Sequence, residues 1–276
     1  MSDGILYVCP TPIGNLEDIT IRALKVLEEV DLIAAEDTRH TIKLLNHYQI
    51  KKTLISYHEH NKKVKGEQLL DKLKSGKQIA IVTDAGMPGI SDPGEDIIKL
   101  CIKNDIRVIV LPGATASITA LVGSGLPTDR FVFEGFLSSK SKDRIKELKR
   151  LKNEERTIIL YEAPHRIKAL LRDMFKVFGD RKISISRELT KIYEETFRGT
   201  IHEAKERFDN EKPKGEFVLI IEGTEMERED IYQNISIKEH IKIYLDEGFT
   251  KKDAIKKVAK ERNISKNLVY KESIDI

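Results

Sequence analysis

The amino-acid sequence predicts an α/β protein made of two α/β domains followed by a small helical C-terminal extension. Three observations predict it. Short apolar, β-branched runs alternate with helical stretches as far as Ile221. Several of those runs end directly in loops rich in glycine and proline. From Ser236 onward no strand-like run remains, and three short helical patterns close the chain. Strands separated by helices of this length imply a largely parallel sheet in the first half.

Each element follows from its local pattern. Ile5–Pro10 reads as a strand, and the next helix has Asp18 as its predicted N-cap, with Ala23, Leu24, Leu27 and Val30 on one face. Leu32–Ala35 and Thr53–Tyr57 read as strands, Lys65–Lys74 as a helix and Ile79–Thr83 as a further strand. A helix near Glu95–Lys103 leads to the strand Val108–Leu111, and a small-residue helix starts near Thr115. The glycines and proline between Gly123 and Arg130 suggest a junction. The second unit has predicted strands Phe131–Phe136, Thr157–Tyr161, Lys182–Ser186 and Phe217–Ile221. Helices near Lys142–Leu151 and Ile167–Phe178 separate the first three, and a turn is predicted at Phe197–Thr200. Ile237–Leu245, Lys251–Arg262 and Lys266–Lys271 form the extension, with breaks at Gly248 and Asn263. The predicted division is therefore 1–122, 123–235 and 236–276.

Composition narrows the function. Hydrophobic content of 40% with 34% charged residues fits a folded globular chain and not long disorder. The net charge of +3 is ordinary for an enzyme and leans only weakly toward polyanions, so local clusters matter more. Cys9 and Cys101 lie in or beside apolar segments without metal or disulfide spacing, as expected of buried thiols in a reducing compartment. No apolar run approaches a membrane span and no secretion signal precedes the first strand, so a cytoplasmic protein with no membrane partner is expected.

Three loops are candidates for chemistry. Pro10 to Asn15 follows the first strand; a ligand-facing turn and a merely rigid one explain it equally well. Asp84 to Gly94 holds three glycines and two prolines, which suits close approach of backbone to a ligand. It is neither a Walker loop nor the Rossmann Gly-x-Gly-x-x-Gly fingerprint, which disfavours an ATPase or a nucleotide dehydrogenase. Gly89 is expected to leave open the space a ligand fills. Pro112 to Ser117 puts small residues at a helix start, useful both for tight packing and for an electron-rich group.

These loops also carry a family resemblance. Thr11 to Leu16, Ala34 to Arg39, Ser56 to Asn61, Thr83 to Gly94, Leu111 to Ala116, Tyr161 to Arg166, Arg187 to Lys191 and Lys214 to Glu216 occur in the order found in the ribosomal RNA small-subunit methyltransferase I group of tetrapyrrole-methylase-fold proteins. The resemblance implies a tetrapyrrole-methylase-like fold with S-adenosylmethionine bound between the two α/β domains. It implies a homodimer and 2′-O-methylation of a cytidine in small-subunit ribosomal RNA, as free RNA or as the 30S particle. It places the cofactor against Pro12, Met87, Ile90, Thr115 and Ala116, with looser matches at Leu137 and Ala163 and a backbone contact after Lys214. Small-molecule methylases of this fold keep Gly-Asp-Pro where this chain has Gly86-Met87-Pro88, which argues against a porphyrinoid substrate. The alternatives are a tetrapyrrole-precursor methylase and a non-catalytic RNA-binding protein of the same fold.

Methyl transfer from a sulfonium to a ribose hydroxyl needs a positioned acceptor and a group to take its proton. Glu36, Asp37, His58 and His165 are the candidates, Asp37 and His165 first because each ends a strand. No metal is expected: the acids and histidines near Glu36 and His58 lack His-Glu-x-x-His spacing, the donor needs none, and an internal network of the acids with Arg39 accounts for them. Arg166, Arg187 and Lys191 are expected to face phosphates flanking the target. Residues 140–156 hold eight Lys or Arg against four Asp or Glu, which suits a solvated helix face or a phosphate-facing surface. The extension, with ten basic and seven acidic residues from Ser236, has helix-turn-helix-like spacing and is expected to serve a dimer or substrate docking.

Overall fold

A computed structural model describes residues 4–224, 235–262, 264–274 and 276. Contacts divide the chain after Thr224 into two compact units.

The first unit contains two five-stranded sheets. The first comprises β1 (Ile5–Val8), β2 (Leu32–Ala35), β3 (Leu54–Ser56), β4 (Gln78–Val82) and β5 (Arg107–Val110), in the order β3-β2-β4-β1-β5 with every pair parallel. Parallel strands buried on both faces read as continuous apolar runs, which is why β2 is buried throughout and β4 from its second residue. Its crossover helices are α1 (Ile21–Glu29), α2 (Thr38–His47), α3 (Lys62–Lys74) and α4 (Glu95–Lys103). The expected N-cap of α1 moves. Asp18 ends a single 3-10 turn, Leu16–Asp18, and the Thr20 hydroxyl accepts the Ala23 N–H. Thr20 wins because it stands directly before the helix in extended backbone, where its oxygen reaches the third helical N–H.

Helix α5 (Ala116–Ser124) carries the chain to the second sheet, packing Ala120 and Leu121 against Ile159, Val218 and Ile220. That sheet comprises β6 (Phe131–Phe136), β7 (Thr157–Glu162), β8 (Lys182–Arg187), β9 (Glu195–Thr200) and β10 (Phe217–Ile221), in the order β6-β7-β10-β8-β9. Only β6 and β7 pair in parallel; β10 runs antiparallel to β7 and β8, and β9 to β8. The expected turn at Phe197–Thr200 is instead the end of β9. Its six residues pair with all six of β8, and Thr200 then forms a capping box with Glu203 at α8 (Ile201–Asn210). The strand prevails because Glu195, Thr196 and Phe197 continue its alternation up to Gly199, and Thr200 starts the helix without an intervening loop.

Helices α6 (Ser141–Leu151) and α7 (Ile167–Phe178) pack with α8 over the other face. Inside this layer Arg144 and Asp173 form an ion pair at 2.6 Å with side chains 4% and 7% exposed. Arg144 also donates to the carbonyls of Ser138 and Ser139. The basic run 140–156 is thus not one solvated face: Arg144 is buried, and Arg156 is held by Glu154.

The second unit holds α9 (Ile237–Asp246), α10 (Lys251–Glu261) and α11 (Lys266–Glu272), each N-capped by a hydroxyl, Ser236, Thr250 and Ser265 in turn. Ile241, Tyr244, Ala254, Val258 and Val269 form its own core. The fully buried His240 lies between Glu261, 3.2 Å from Nε2, and Arg262, whose Nε donates to Nδ1. The break predicted at Asn263 lies outside the described residues.

Candidate active site

In the first sheet every strand delivers its following loop to the same end, where ligands of open α/β sheets sit. The loop after β1 is locked to the loop after β4 by a two-way backbone bridge: Thr11 N–H donates to the Gly86 carbonyl at 2.9 Å, and Gly86 N–H donates back at 3.1 Å. The buried Thr11 hydroxyl also donates to the Thr83 carbonyl. Gly86 needs its left-handed φ of +82° to turn there, a backbone that side chains rarely adopt. The second sheet turns the carboxyl ends of β6, β7 and β8 and the amino ends of β9 and β10 toward these loops. The loop after β8 reaches the first: Gly14 leaves no room for a Cβ against Thr190 and Lys191.

Between the two sets of loops lies a cavity of about 580 Å³. Its lining from the first sheet includes Ile13, Glu36, Asp84 to Met87, Ile90 to Asp92, Thr115 and Ala116. The second contributes Phe136, Tyr161 to His165, Glu188, Leu189, Lys191 and Glu216 to Val218. Six carboxylates therefore face it against one lysine and one histidine. Crowding acids in a partly dry site disfavours their ionisation. Burial first, then the charges of Glu36, Asp84 and Glu216, pushes the Asp92 carboxyl up to about 7. Burial also raises Glu36 and Glu162. Tyr161 is fixed by its hydroxyl, which accepts the Ser117 N–H at 3.2 Å from the first turn of α5, and burial keeps it protonated.

The cavity gathers only part of the residues expected from sequence. Met87, Ile90, Thr115, Ala116, Ala163, Glu36, His165 and Lys191 line it. Pro12 is buried behind the wall that Ile13 presents. Gly89 has φ of +85°, and its open side faces the Glu95 N–H and Ile98 at the start of α4, not the cavity. Leu137 is buried in the second core, and its carbonyl accepts from Arg166. Asp37 is the N-cap of α2, and its carboxylate is gripped by the Arg39 guanidinium at 2.6 Å, which holds it far below the usual carboxylate range. His58 stays outside the lining, its Nε2 beside the Asn61 amide at 3.1 Å.

The three expected phosphate contacts are each paired inside the chain. Arg166 lies 2.9 Å from the buried Glu162, Arg187 is 2.9 Å from Glu195, and Lys191 is 2.9 Å from Glu188. Of these only Lys191 reaches the cavity. Asp37, His40 and Asp84 bring ligand-type atoms within 4.8 Å of one another, but the guanidinium already holds the Asp37 oxygens. Residues that sequence reasoning passed over are Asp92, Phe136, Tyr161 and Glu216. Asp92 stood inside a loop noted for its glycines, and its ionisation depends on neighbours distant in sequence.

A sequence profile described as tetrapyrrole (corrin/porphyrin) methylases matches residues 6–205. The Bacillus subtilis ribosomal RNA small subunit methyltransferase I is 50% identical over 271 residues, covering 97% of this chain and 93% of that protein. The chain belongs to the ribosomal RNA small subunit methyltransferase I family. Another member of this methyltransferase family, from Thermotoga maritima, is 50% identical over 222 residues, which cover 80% of this chain and 100% of that protein. That relative therefore has no counterpart for about a fifth of this methyltransferase. Among solved structures, Thermus thermophilus uroporphyrin-III C-methyltransferase complexed with S-adenyl homocysteine superposes with a TM-score of 0.57. It is 16% identical and covers 79% of this chain and 97% of its own, which shows a shared fold.

Proposed function

We propose that the protein transfers a methyl group from S-adenosylmethionine to the ribose 2′-hydroxyl of a cytidine in small-subunit ribosomal RNA. The observation that carries the donor is the carboxylate-lined cavity. A sulfonium is a fixed cation, and six carboxyl groups against one lysine in a partly dry site favour it over phosphate, even with Glu162 paired to Arg166, Glu188 to Lys191 and Asp92 raised to about 7. S-adenosylmethionine supplies the electrophilic methyl group. Glu36, Asp84 and Asp92 hold its positive charge, and Thr115 and Ala116, at the start of α5, leave room for it against backbone. The acceptor follows from the family and from the placement of Lys191 and the exposed His165 on the opposite wall.

His165 takes the hydroxyl proton in this reading, since Asp37 is committed to Arg39 and to capping α2. Lys191 exchanges its Glu188 partner for a flanking phosphate. Arg166 braces Glu162 and the Leu137 carbonyl, so it shapes the wall without touching RNA. The enzyme acts in the cytoplasm, as a homodimer, on the 30S particle or its RNA. No helix among the described residues is long and apolar enough to cross a membrane.

The test is methylation of purified small ribosomal subunits with labelled donor, followed by nucleoside analysis. The expected product is 2′-O-methylcytidine. A base-methylated nucleoside as the sole product overturns the ribose assignment, and transfer to a tetrapyrrole precursor without transfer to subunits establishes a small-molecule methylase.

A further inference from the structure

Strand β6 does not follow a simple pleat. Its register with β7 pairs Phe133 with Ile159 and then Gly135 with Leu160, so Glu134 is an extra residue and the strand bulges. Gly135 makes the bulge with φ of +63°, a backbone that side chains rarely accept, and a Cβ added there would come within 3.3 Å of the Ser91 Oγ. The consequence is a change of side. Without the extra residue, Phe136 and Phe133 would point to opposite faces. With it, Phe136 pairs with Tyr161 and shares the face of Phe133, where Phe136 lines the cavity.

The ring placed this way is not buried. Phe136 is 55% exposed, although it lines the cavity. Tyr161 meets it edge-on, with centroids 5.6 Å apart and planes at 62°, and meets Phe133 in the same manner at 5.1 Å. Tyr161 is itself pinned by the Ser117 N–H. The result is a braced aromatic ring, more than half exposed, that lines the cavity on the wall that also carries His165 and Lys191. Core packing does not account for a bulge that exposes a phenylalanine.

We propose that Phe136 is the stacking platform for the nucleobase of the target nucleotide, which leaves the RNA stack to enter the cavity. The inference rests on the ribose-methylation reading above. A 2′-hydroxyl inside folded RNA reaches an enclosed donor only if its nucleotide is extruded, and extrusion sacrifices base stacking. An aromatic face at the entrance restores that stacking for any base, while the acidic interior keeps phosphates at the rim beside Lys191. The carboxylates that suit the donor cation include Glu36, Asp84 and Asp92 of the first sheet, so the donor occupies the interior and the base takes the mouth.

The chain contains no tryptophan, so Phe136→Trp introduces a single reporter at the platform. Its fluorescence should be quenched by a small-subunit ribosomal RNA fragment added with S-adenosylhomocysteine, and not by S-adenosylhomocysteine alone. Quenching by the homocysteine compound alone assigns the ring to the donor's adenine and overturns the proposal, as does the absence of quenching with bound RNA. In kinetics, Phe136→Ala and Phe136→Leu should each lower kcat/KM for small subunits about tenfold or more, with calorimetric S-adenosylhomocysteine affinity unchanged. Phe136→Trp should stay active. Full activity in Phe136→Leu would mean that apolar bulk suffices and no stacking occurs. If the wild-type protein methylates no ribosomal substrate, the functional reading fails, whereas the reporter still shows whether a base sits on the ring.

Discussion

In the first sheet all five strands run parallel and send every following loop to the cavity, whereas in the second the cavity end is built from the carboxyl ends of three strands and the amino ends of two. The first arrangement concentrates glycine, proline and acids in contiguous loops, and it supplies the tight turns and three of the six cavity carboxyl groups. The second gathers single residues from scattered places: Phe136 from a bulge, Tyr161 from a strand, Lys191 from a connection, Glu216 from the residue before a strand. It also places a buried ion pair, Arg144 with Asp173, in its own interior. The difference teaches that a dry, paired charge such as Asp173 or Glu162 holds the architecture, whereas cavity carboxyl groups without a basic partner at ion-pair distance among the described residues, such as Glu36 and Asp92, are the ones placed for a ligand.

Removing one half of the dry pair should have the largest effect. Asp173→Ala leaves a buried guanidinium without its partner and should cost about 3–5 kcal/mol in denaturant unfolding, with donor affinity preserved in the fraction that folds. A loss below about 1 kcal/mol would erase the distinction between the two regions, because that is the range of exposed pairs.

On the cavity side, Asp92→Asn should change binding more than folding. The Asp92 carboxyl is raised to about 7 from 3.8, so the folded, empty protein keeps it protonated where the unfolded chain has released the proton. Its contribution therefore lowers stability as pH rises from about 4 through 7, opposite in sign to a paired carboxylate. A bound cation reverses this by favouring the ionised form, so donor affinity should rise with pH through about 7. Asp92→Asn should weaken donor binding about tenfold or more at pH 8 and flatten that pH profile. Calorimetry across pH 6–8 checks both, and an unchanged profile in the variant would place the titrating group elsewhere.

A smaller effect is expected at the rim. Lys191→Ala should reduce use of small subunits severalfold and lower the salt slope of RNA binding by about 1, with donor affinity unaltered. Loss of donor affinity instead would assign Lys191 to the interior. Gly89→Ala separates loop geometry from ligand contact: strain at φ of +85° should cost about 1 kcal/mol of stability while donor binding holds, because the added carbon points toward α4. The smallest effect belongs to the second unit. Ending the chain at Thr224 should leave donor affinity within about twofold, since the cavity lining lies wholly before that point. A calorimetric loss of donor binding in a stable truncated protein would overturn that.

The amino-acid sequence alone determined the alternation of strands and helices, the three loops of the first sheet and the three helices of the extension. Those signals are local: apolar periodicity, β-branched runs, and glycine or proline at turns express themselves within a few residues. The family resemblance pointed to Met87, Ile90, Thr115 and Ala116, and the parallel sheet gathers them at one edge because it brings every carboxyl end there. Tertiary structure alone decided which charges are free. The sequence offers Asp37 both as a base at a strand end and as a partner of Arg39, and the fold selects the pairing; Arg144 belongs in sequence to a basic run, and the fold buries it beside Asp173. It alone decided the aim of Phe136, since a single extra residue reverses the face of everything after it and no composition records the register. Protonation of Asp92 belongs to the same class, because Glu36, Asp84 and Glu216 meet it only across folded space, and electrostatic energy depends on distance and burial rather than on order along the chain.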